Sequence, residues 1–247
     1  MDVIGVIPAR FSSTRFEGKV LAQILGKPML QHVWERAKQA MLLDELIIAC
    51  DDERVAVVAR EFGAKVAMTS RDHLSGTDRI IEVINPLDVK IAINIQADEP
   101  LIHPTMIDSL ARELLADPGI SIATLIRAIE DSSEVDDTNV VKVVADKNNF
   151  ALYFSRAAIP HKAKNSEVKS PSYYKHIGLY GYTKDFLFTF KNLPASRLEN
   201  IEKLEQLRIL EAGFRIRVIE TKYDTVGVDT PADLNKVTEL LKKEKPQ

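Results

Sequence analysis

The sequence predicts an α/β fold: a mostly parallel central sheet flanked by helices, with a smaller β-rich region in the second half. Three observations carry this reading. Short β-branched runs alternate with helix-period segments through the first half. The 247 residues are 45% hydrophobic, enough to fill one large core. From about residue 140 the strands become richer in Tyr and Phe, the mark of a differently built second region.

The elements follow in order. "VIGVIPA" is the first strand, and a helix follows Pro28, where Leu30, Val33, Trp34 and Ala37 share one face while Glu35, Arg36 and Lys38 fall largely elsewhere. Trp34 is therefore read as core packing. "LIIAC" is a strand, and a helix over 52–62 stops at Gly63, suited to the left-handed position. "AKVAM", a third helix and the strand "KIAINIQ" follow, then a helix from Pro104 to "ADPG". Alternation of this kind gives a parallel sheet between helical layers. In the second half, "VVKVVAD", "FALYFSRAAIP" and "KHIGLYGYTKDFL" read as strands, with 161–174 as a mobile surface loop. One amphipathic helix is expected through "RLENIEKLEQLRILEAG", then the strand "RIRVIET" and a last helix over 231–243. The tail "LLKKEKPQ" reads as a solvated helix end. One domain over 1–247 is expected, with a first part over about 1–130, a second over about 131–230, and a C-terminal helix over 231–247.

Composition narrows the function. A net charge of -3 argues against a general nucleic-acid binder, whose affinity needs an excess of Lys and Arg. A single cysteine, Cys50, excludes an internal disulfide and a thiolate zinc site; its apolar setting reads as core. The five histidines show no metal-ligand spacing. The first apolar run is broken by Arg10, too short for a signal peptide, and no window is long enough for a bilayer. A soluble, cytoplasmic protein is expected.

Ligands of open α/β sheets gather at the carboxyl ends of strands. Three loops there are unusual. "ARFSSTRFEGK" sets Arg10, Arg15 and Lys19 where a polyphosphate can be clamped, with Ser12, Ser13 and Thr14 as neutral donors. It lacks the glycine spacing and GK[ST] ending of a Walker loop. "RDHLSGTDR" offers Ser75, Gly76 and Thr77 to a base edge, or else Ser75 or Thr77 caps a helix. "NIQADEP" ends a buried strand in two carboxylates, Asp98 and Glu99, good ligands for a hard cation such as magnesium. A further carboxylate, Asp229 in "VGVDTPADL", stands at the start of the last helix, where Asp229 or Thr230 would also serve as a cap.

Eight segments, "IPARFSSTRFEGK", "GKPML", "HLSGTDR", "NIQADEP", "ALYFSRAAIP", "HIGLYGYTKDF", "LEQLRILEAG" and "GVDTPADL", resemble in order those of the CMP-Kdo synthetases, cytidylyltransferases that activate the eight-carbon acidic sugar Kdo. The resemblance implies a nucleotide-diphospho-sugar transferase fold, magnesium, CTP and Kdo as substrates, a role in lipopolysaccharide synthesis, and a homodimer formed by the aromatic-rich second half. Arg10, Arg15 and Lys19 match the family's triphosphate loop; Arg71, Ser75 and Gly76, with the backbone near Gln96, match its cytidine side. Asp98 and Asp229 match its magnesium carboxylates, and Gln96, Arg156, His176, Tyr180, Glu205 and Gln206 fall in segments around the sugar acid.

Two departures stand out. Ala97 replaces the usual glycine of "NIQADEP", which is expected to leave the backbone at negative φ or loosen the ligand approach. Phe16 and Glu17 replace the usual Leu-Pro, so Glu17 is expected to point away from the triphosphate. The reaction expected is in-line attack of the anomeric hydroxyl of Kdo on the α-phosphorus of CTP, with His176 or an arginine pairing the sugar carboxylate. The alternatives are a nucleotidyltransferase for another sugar acid and a non-catalytic nucleotide-binding protein.

Overall fold

The computed structural model describes residues 1–12, 16–73, 75–163 and 173–243. The first half runs β1 (Val3–Ala9), a single 3-10 turn (Lys19–Leu21), the short β2 (Gln23–Ile24) and β3 (Lys27–Pro28), α1 (Met29–Ala37), β4 (Glu45–Cys50), α2 (Glu53–Glu61), β5 (Lys65–Met68), α3 (Gly76–Ile84), β6 (Ile91–Asn94) and α4 (Pro104–Ala116). The second half runs β7 (Ile122–Ala128), α5 (Ser133–Asp136), β8 (Lys142–Ala145), β9 (Ala151–Ser155), β10 (Tyr174–Thr183), α6 (Lys184–Lys191), α7 (Arg197–Glu202), α8 (Gln206–Glu211), β11 (Arg217–Glu220) and α9 (Pro231–Lys243).

The main sheet has the order β11-β7-β10-β6-β1-β4-β5, with β8 and β9 branching from β10. β1 pairs in parallel with β4 and β6, and β4 with β5; along the path only β10 runs against its neighbours, β6 and β7. Strand alternation sends Val3, Ile7 and Ala9 to one core and Ile4 and Val6 to the other. The first core takes Leu30 and Val33 of α1, Val55 and Ala59 of α2, and Met106 and Leu110 of α4. The second takes Ile80 and Ile84 of α3, Phe186 and Phe190 of α6, and Leu207 and Ile209 of α8. Truncating one of these, such as Leu30→Ala, costs about 2–5 kcal/mol. Among the described residues no helix is long and apolar enough to cross a membrane.

The elements of the first half agree with the sequence reading. Asp52 caps α2 by accepting from Arg54 N, the helix ends before Gly63, and Pro104 opens α4. Trp34 and Cys50 are buried in the first core. Four differences lie later in the chain. β7, "IATLIRA", is a central strand that the alternation did not single out, because it is a short, nearly continuous apolar run. "KHIGLYGYTKDFL" is not all strand: Thr183 ends β10 and its hydroxyl caps α6. The expected single helix through 197–213 is two, since Lys203 adopts a left-handed φ of 55° between α7 and α8. That break re-aims the chain so that Leu204 and Leu207 enter the core. Of the 161–174 segment, residues 164–172 lie outside the described residues, and Tyr174 already belongs to β10.

A third small cluster positions the site. Ile24 and Met29 from the opening region pack on Val228 and on Val237 of α9. This joins the two ends of the chain beside the carboxyl ends of β1 and β6.

Candidate active site

A cleft of about 380 Å³ opens at the carboxyl ends of β1 and β6. β1 contributes Pro8, the segment leaving it Arg10 and Ser12, and the 3-10 turn Lys19. α3 adds Gly76 and Arg79, the loop after β6 adds Gln96, Ala97 and Asp98, and the residue before the α9 cap adds Asp229. Gly76 suits its place because a Cβ there would meet Pro8 Cγ at 3.3 Å, pressing α3 off the first strand.

Lys19 is the centre of charge. Its Nζ donates to Asp98 Oδ2 at 2.6 Å, to Asp229 Oδ1 at 3.0 Å and to the Val228 carbonyl at 3.1 Å, using all three protons. Burial by itself lowers the lysine's pKa, but the two carboxylates outweigh it and the net shift is upward. Two backbone features bring residues 210 positions apart together. Val228 N donates to Asp98 O at 2.9 Å, binding the α9 approach to the β6 loop. Thr230 and Asp233 cap α9 reciprocally, so Asp229 is not spent as the cap and its carboxylate turns to Lys19. Glu99 differs from its neighbour: burial, then the Asp98 and Asp224 charges, push its carboxyl up to about 8. At neutral pH it is mostly protonated.

The opening loop is held at both ends. Gly18, at a φ of 64° that favours glycine, donates its N–H to Phe11 O at 3.0 Å. Phe11 N donates to Asp51 Oδ1 at 3.3 Å, and Asp51 Oδ2 accepts from Arg79 Nη2 at 2.8 Å. Arg79, 2% exposed, also bonds Thr69 and the Ser70 carbonyl. Removing Asp51 would strand a buried guanidinium, at about 3–5 kcal/mol. Glu17 does not line the cleft, and its charge acts instead on Arg54, whose pKa is raised chiefly by its bond to Asp52. Ala97 is not at positive φ; among the described residues the non-glycine positions that are include Leu25, Asn149 and Lys203.

Gln96 joins this cleft to a second, small cavity of about 60 Å³. There Tyr180, Glu205 and Gln206 meet Asn94 and Phe190. The sequence alone reads Glu205 and Gln206 as ordinary polar helix positions, yet Gln206 is 8% exposed. Glu205 accepts from Thr77 Oγ1 at 3.3 Å, and burial raises its pKa. The Tyr180 phenol is buried without a hydrogen-bond partner among the described residues.

Other expected site residues do not line these cavities, although His176 touches the Tyr180 ring. Ser75 caps α3 in a reciprocal box with Asp78. Arg71 donates to Asp51 O and faces Asp52. Arg156 donates to Glu202 O and Thr138 O. His176 packs edge-on to Phe154, and burial lowers its pKa to about 3. The imidazole is therefore neutral at neutral pH. Ser13, Thr14 and Arg15 lie outside the described residues. Sequence reasoning gave no role to Arg79, Asn94 or Asp51; the available signal was an arginine set beside Ile80 and Ile81 on an otherwise apolar helix face.

Residues 4–218 match the family model described as cytidylyltransferase. The chain is 55% identical to the 3-deoxy-manno-octulosonate cytidylyltransferase of Solibacter usitatus, over 97% of this chain and 94% of that protein. It is 50% identical to the protein of the same name from Geobacter metallireducens, over 98% of each. The solved structure of a CMP:2-keto-3-deoxy-manno-octonic acid synthetase complexed with CTP superposes with a TM-score of 0.93 at 43% identity, covering 99% of this chain and 100% of that one. With a cleft of this form, and with matches that span nearly its whole length, the chain belongs to the cytidylyltransferase family.

Proposed function

We propose that the protein couples CTP to 3-deoxy-manno-octulosonate (Kdo), releasing pyrophosphate and CMP-Kdo for lipopolysaccharide synthesis. The observation that carries the reading is the convergence of Lys19, Asp98 and Asp229 in a cleft at the carboxyl ends of β1 and β6. The near-identity in length to relatives named for this activity supports the substrate pair.

The anomeric hydroxyl of Kdo attacks the α-phosphorus of CTP as the bond to the leaving pyrophosphate breaks, with no covalent enzyme intermediate. Catalysis then rests on position and charge. Arg10 and Lys19, with Arg15, Ser12, Ser13 and Thr14 of the same loop, take up the triphosphate and the charge that grows on the leaving group. Arg71, Ser75, Gly76 and the Gln96 backbone form the cytidine side. Gln96, Arg156, His176, Tyr180, Glu205 and Gln206 surround the sugar, His176 as a neutral hydrogen-bonding group.

Asp98 and Asp229 fit a magnesium ion, because both already converge on one cation, the Lys19 ammonium, and the Val228 carbonyl adds a neutral oxygen. Among the described residues there is no group of three or more His, Cys, Asp or Glu placed to hold a metal. Two carboxylates completed by substrate phosphates are the usual way magnesium is held. Bound there, it supplies a Lewis acid to phosphate and hydroxyl oxygens. Lys19, relieved of its two carboxylates, is then a full positive charge available to the phosphates.

The protein works as a cytoplasmic homodimer paired through its second half, a reading supported by Leu152 of β9 and Ile201 of α7, each 62% exposed. The test is a pyrophosphate-release screen with four nucleoside triphosphates against Kdo, a sialic acid and other sugar acids. CTP with Kdo is expected to give the fastest release. Preference for another pair would reassign the substrate, and no release with any pair would mark a non-catalytic nucleotide binder.

A further inference from the structure

Opposite the sugar-side residues of β10 lies one polar side chain to which the reaction as described gives no role. Thr124, in the middle of β7, is 0% exposed. Its Oγ1 lies 3.0 Å from His176 Nε2, 3.2 Å from Ile177 O and 2.9 Å from Leu179 O. The register explains why three groups meet there. Ile177 faces Leu125, but Tyr180 faces Thr124, so Gly178 and Leu179 bulge out of the β10–β7 ladder. The bulge in turn presents Gly178 O to Gln96 Nε2 at 3.3 Å.

The hydrogen count selects one arrangement. A threonine hydroxyl has one proton and two lone pairs, and a neutral imidazole has one N–H. If Thr124 donated to His176 Nε2, both carbonyls would face its lone pairs without a proton between them. If Nε2–H donates to Oγ1, the hydroxyl proton is free for Leu179 O, with Ile177 O sharing it at longer range. Only the second puts a proton both in the Oγ1–Nε2 contact and in the Oγ1–Leu179 O contact, so that no two lone pairs face each other at 2.9–3.0 Å. It fixes His176 as the Nε2–H tautomer, with Nδ1 an acceptor. Thr124 also lies close to the Tyr180 phenol, near enough to offset part of the upward push that burial gives that group, though without hydrogen-bond geometry.

We propose that Thr124 is a positioning residue for the sugar acid: its hydroxyl sets the His176 tautomer and holds the 177–180 bulge that places Tyr180 and the Gln96 contact. This rests on the functional reading above, in which His176, Tyr180 and Gln96 surround the sugar. Thr124 touches no substrate itself. Its effect should therefore fall on one substrate and not the other, which a general packing role would not produce.

The test compares wild type, T124V and T124S by steady-state kinetics with each substrate varied separately, and by NMR of the imidazole nitrogens. T124V keeps the shape and loses the hydroxyl; it is expected to raise the KM for Kdo roughly tenfold or more while the KM for CTP stays within about twofold. T124S, which keeps the hydroxyl, is expected to return to within about threefold of wild type. His176 should be Nε2–H in wild type and T124S and a tautomer mixture in T124V. Equal loss for both substrates without rescue by serine, or an unchanged Kdo KM in T124V, would overturn the proposal. An Nδ1–H imidazole in the wild type would overturn it even if T124V failed to fold. Absence of Kdo turnover in the wild type would instead overturn the substrate reading, and the NMR result would still decide the tautomer.

Discussion

The two halves of the site are built on opposite physical terms. In the main cleft Lys19, Asp98 and Asp229 keep side-chain exposures of 14%, 30% and 44% and meet as charges. Around the small second cavity Tyr180 and Gln206 are each 8% exposed, His176 is neutral, and the Tyr180 phenol has no hydrogen-bond partner among the described residues. The first region gains from charge complementarity in a wet cleft and can exchange one cation for another. The second gains from shape and neutral hydrogen bonds, and a substrate group that reaches it must satisfy atoms the protein leaves unpaired.

Substitutions should separate the two terms. Asp98→Asn is expected to have the largest effect, lowering turnover by about a hundredfold or more with the fold intact by circular dichroism. Near-normal pyrophosphate release by this variant would remove the charge side of the comparison. Lys19→Ala comes next, with kcat/KM for CTP down roughly tenfold to a hundredfold and the KM for Kdo little changed. Equal use of CTP by variant and wild type would show that Lys19 only ties Asp98 to Asp229.

The buried second region should respond in stability and pH. The folded pKa of His176, about 3, lies below its ordinary 6.5. Between those values the unfolded chain binds a proton that the folded chain does not, so stability falls as pH drops below 6.5, by about 2 kcal/mol at pH 5. His176→Gln is expected to flatten that part of the denaturation profile, and an unchanged slope would place the titration elsewhere. The smallest effect is expected from Tyr180→Phe, which removes an unpaired buried hydroxyl. Stability should hold or rise by up to about 1 kcal/mol while Kdo binding weakens. A clear loss of stability would mean that the phenol has a partner after all.

The same contrast decided how much was legible in the sequence. Arg10, Lys19 and Asp98 could be found because charged residues directly after buried strands are anomalous against an apolar pattern. Asp229 was ambiguous, since a carboxylate before Thr230 and Pro231 also fits a cap; only the Thr230–Asp233 bonds show that the cap is filled without it. Glu205, Gln206 and Tyr180 are invisible to periodicity, because in a strand or helix they look like ordinary positions. Their burial depends on the left-handed turn at Lys203 and on the β10 bulge, which are tertiary choices with weak local signals. Thr124, inside the apolar run of β7, has a role only through the bulge it faces. The parallel half was legible from alternation, whereas α6 and the α7–α8 break turn on single residues, Thr183 and Lys203.

The most direct measurement is pyrophosphate release from CTP and Kdo in the presence of a chelator, followed by titration with magnesium, in the wild type and in Asp98→Asn. The account predicts no release until magnesium is added to the wild type, and little at any magnesium concentration in the variant. Undiminished release in the chelator, or full recovery of the variant by magnesium, would contradict it.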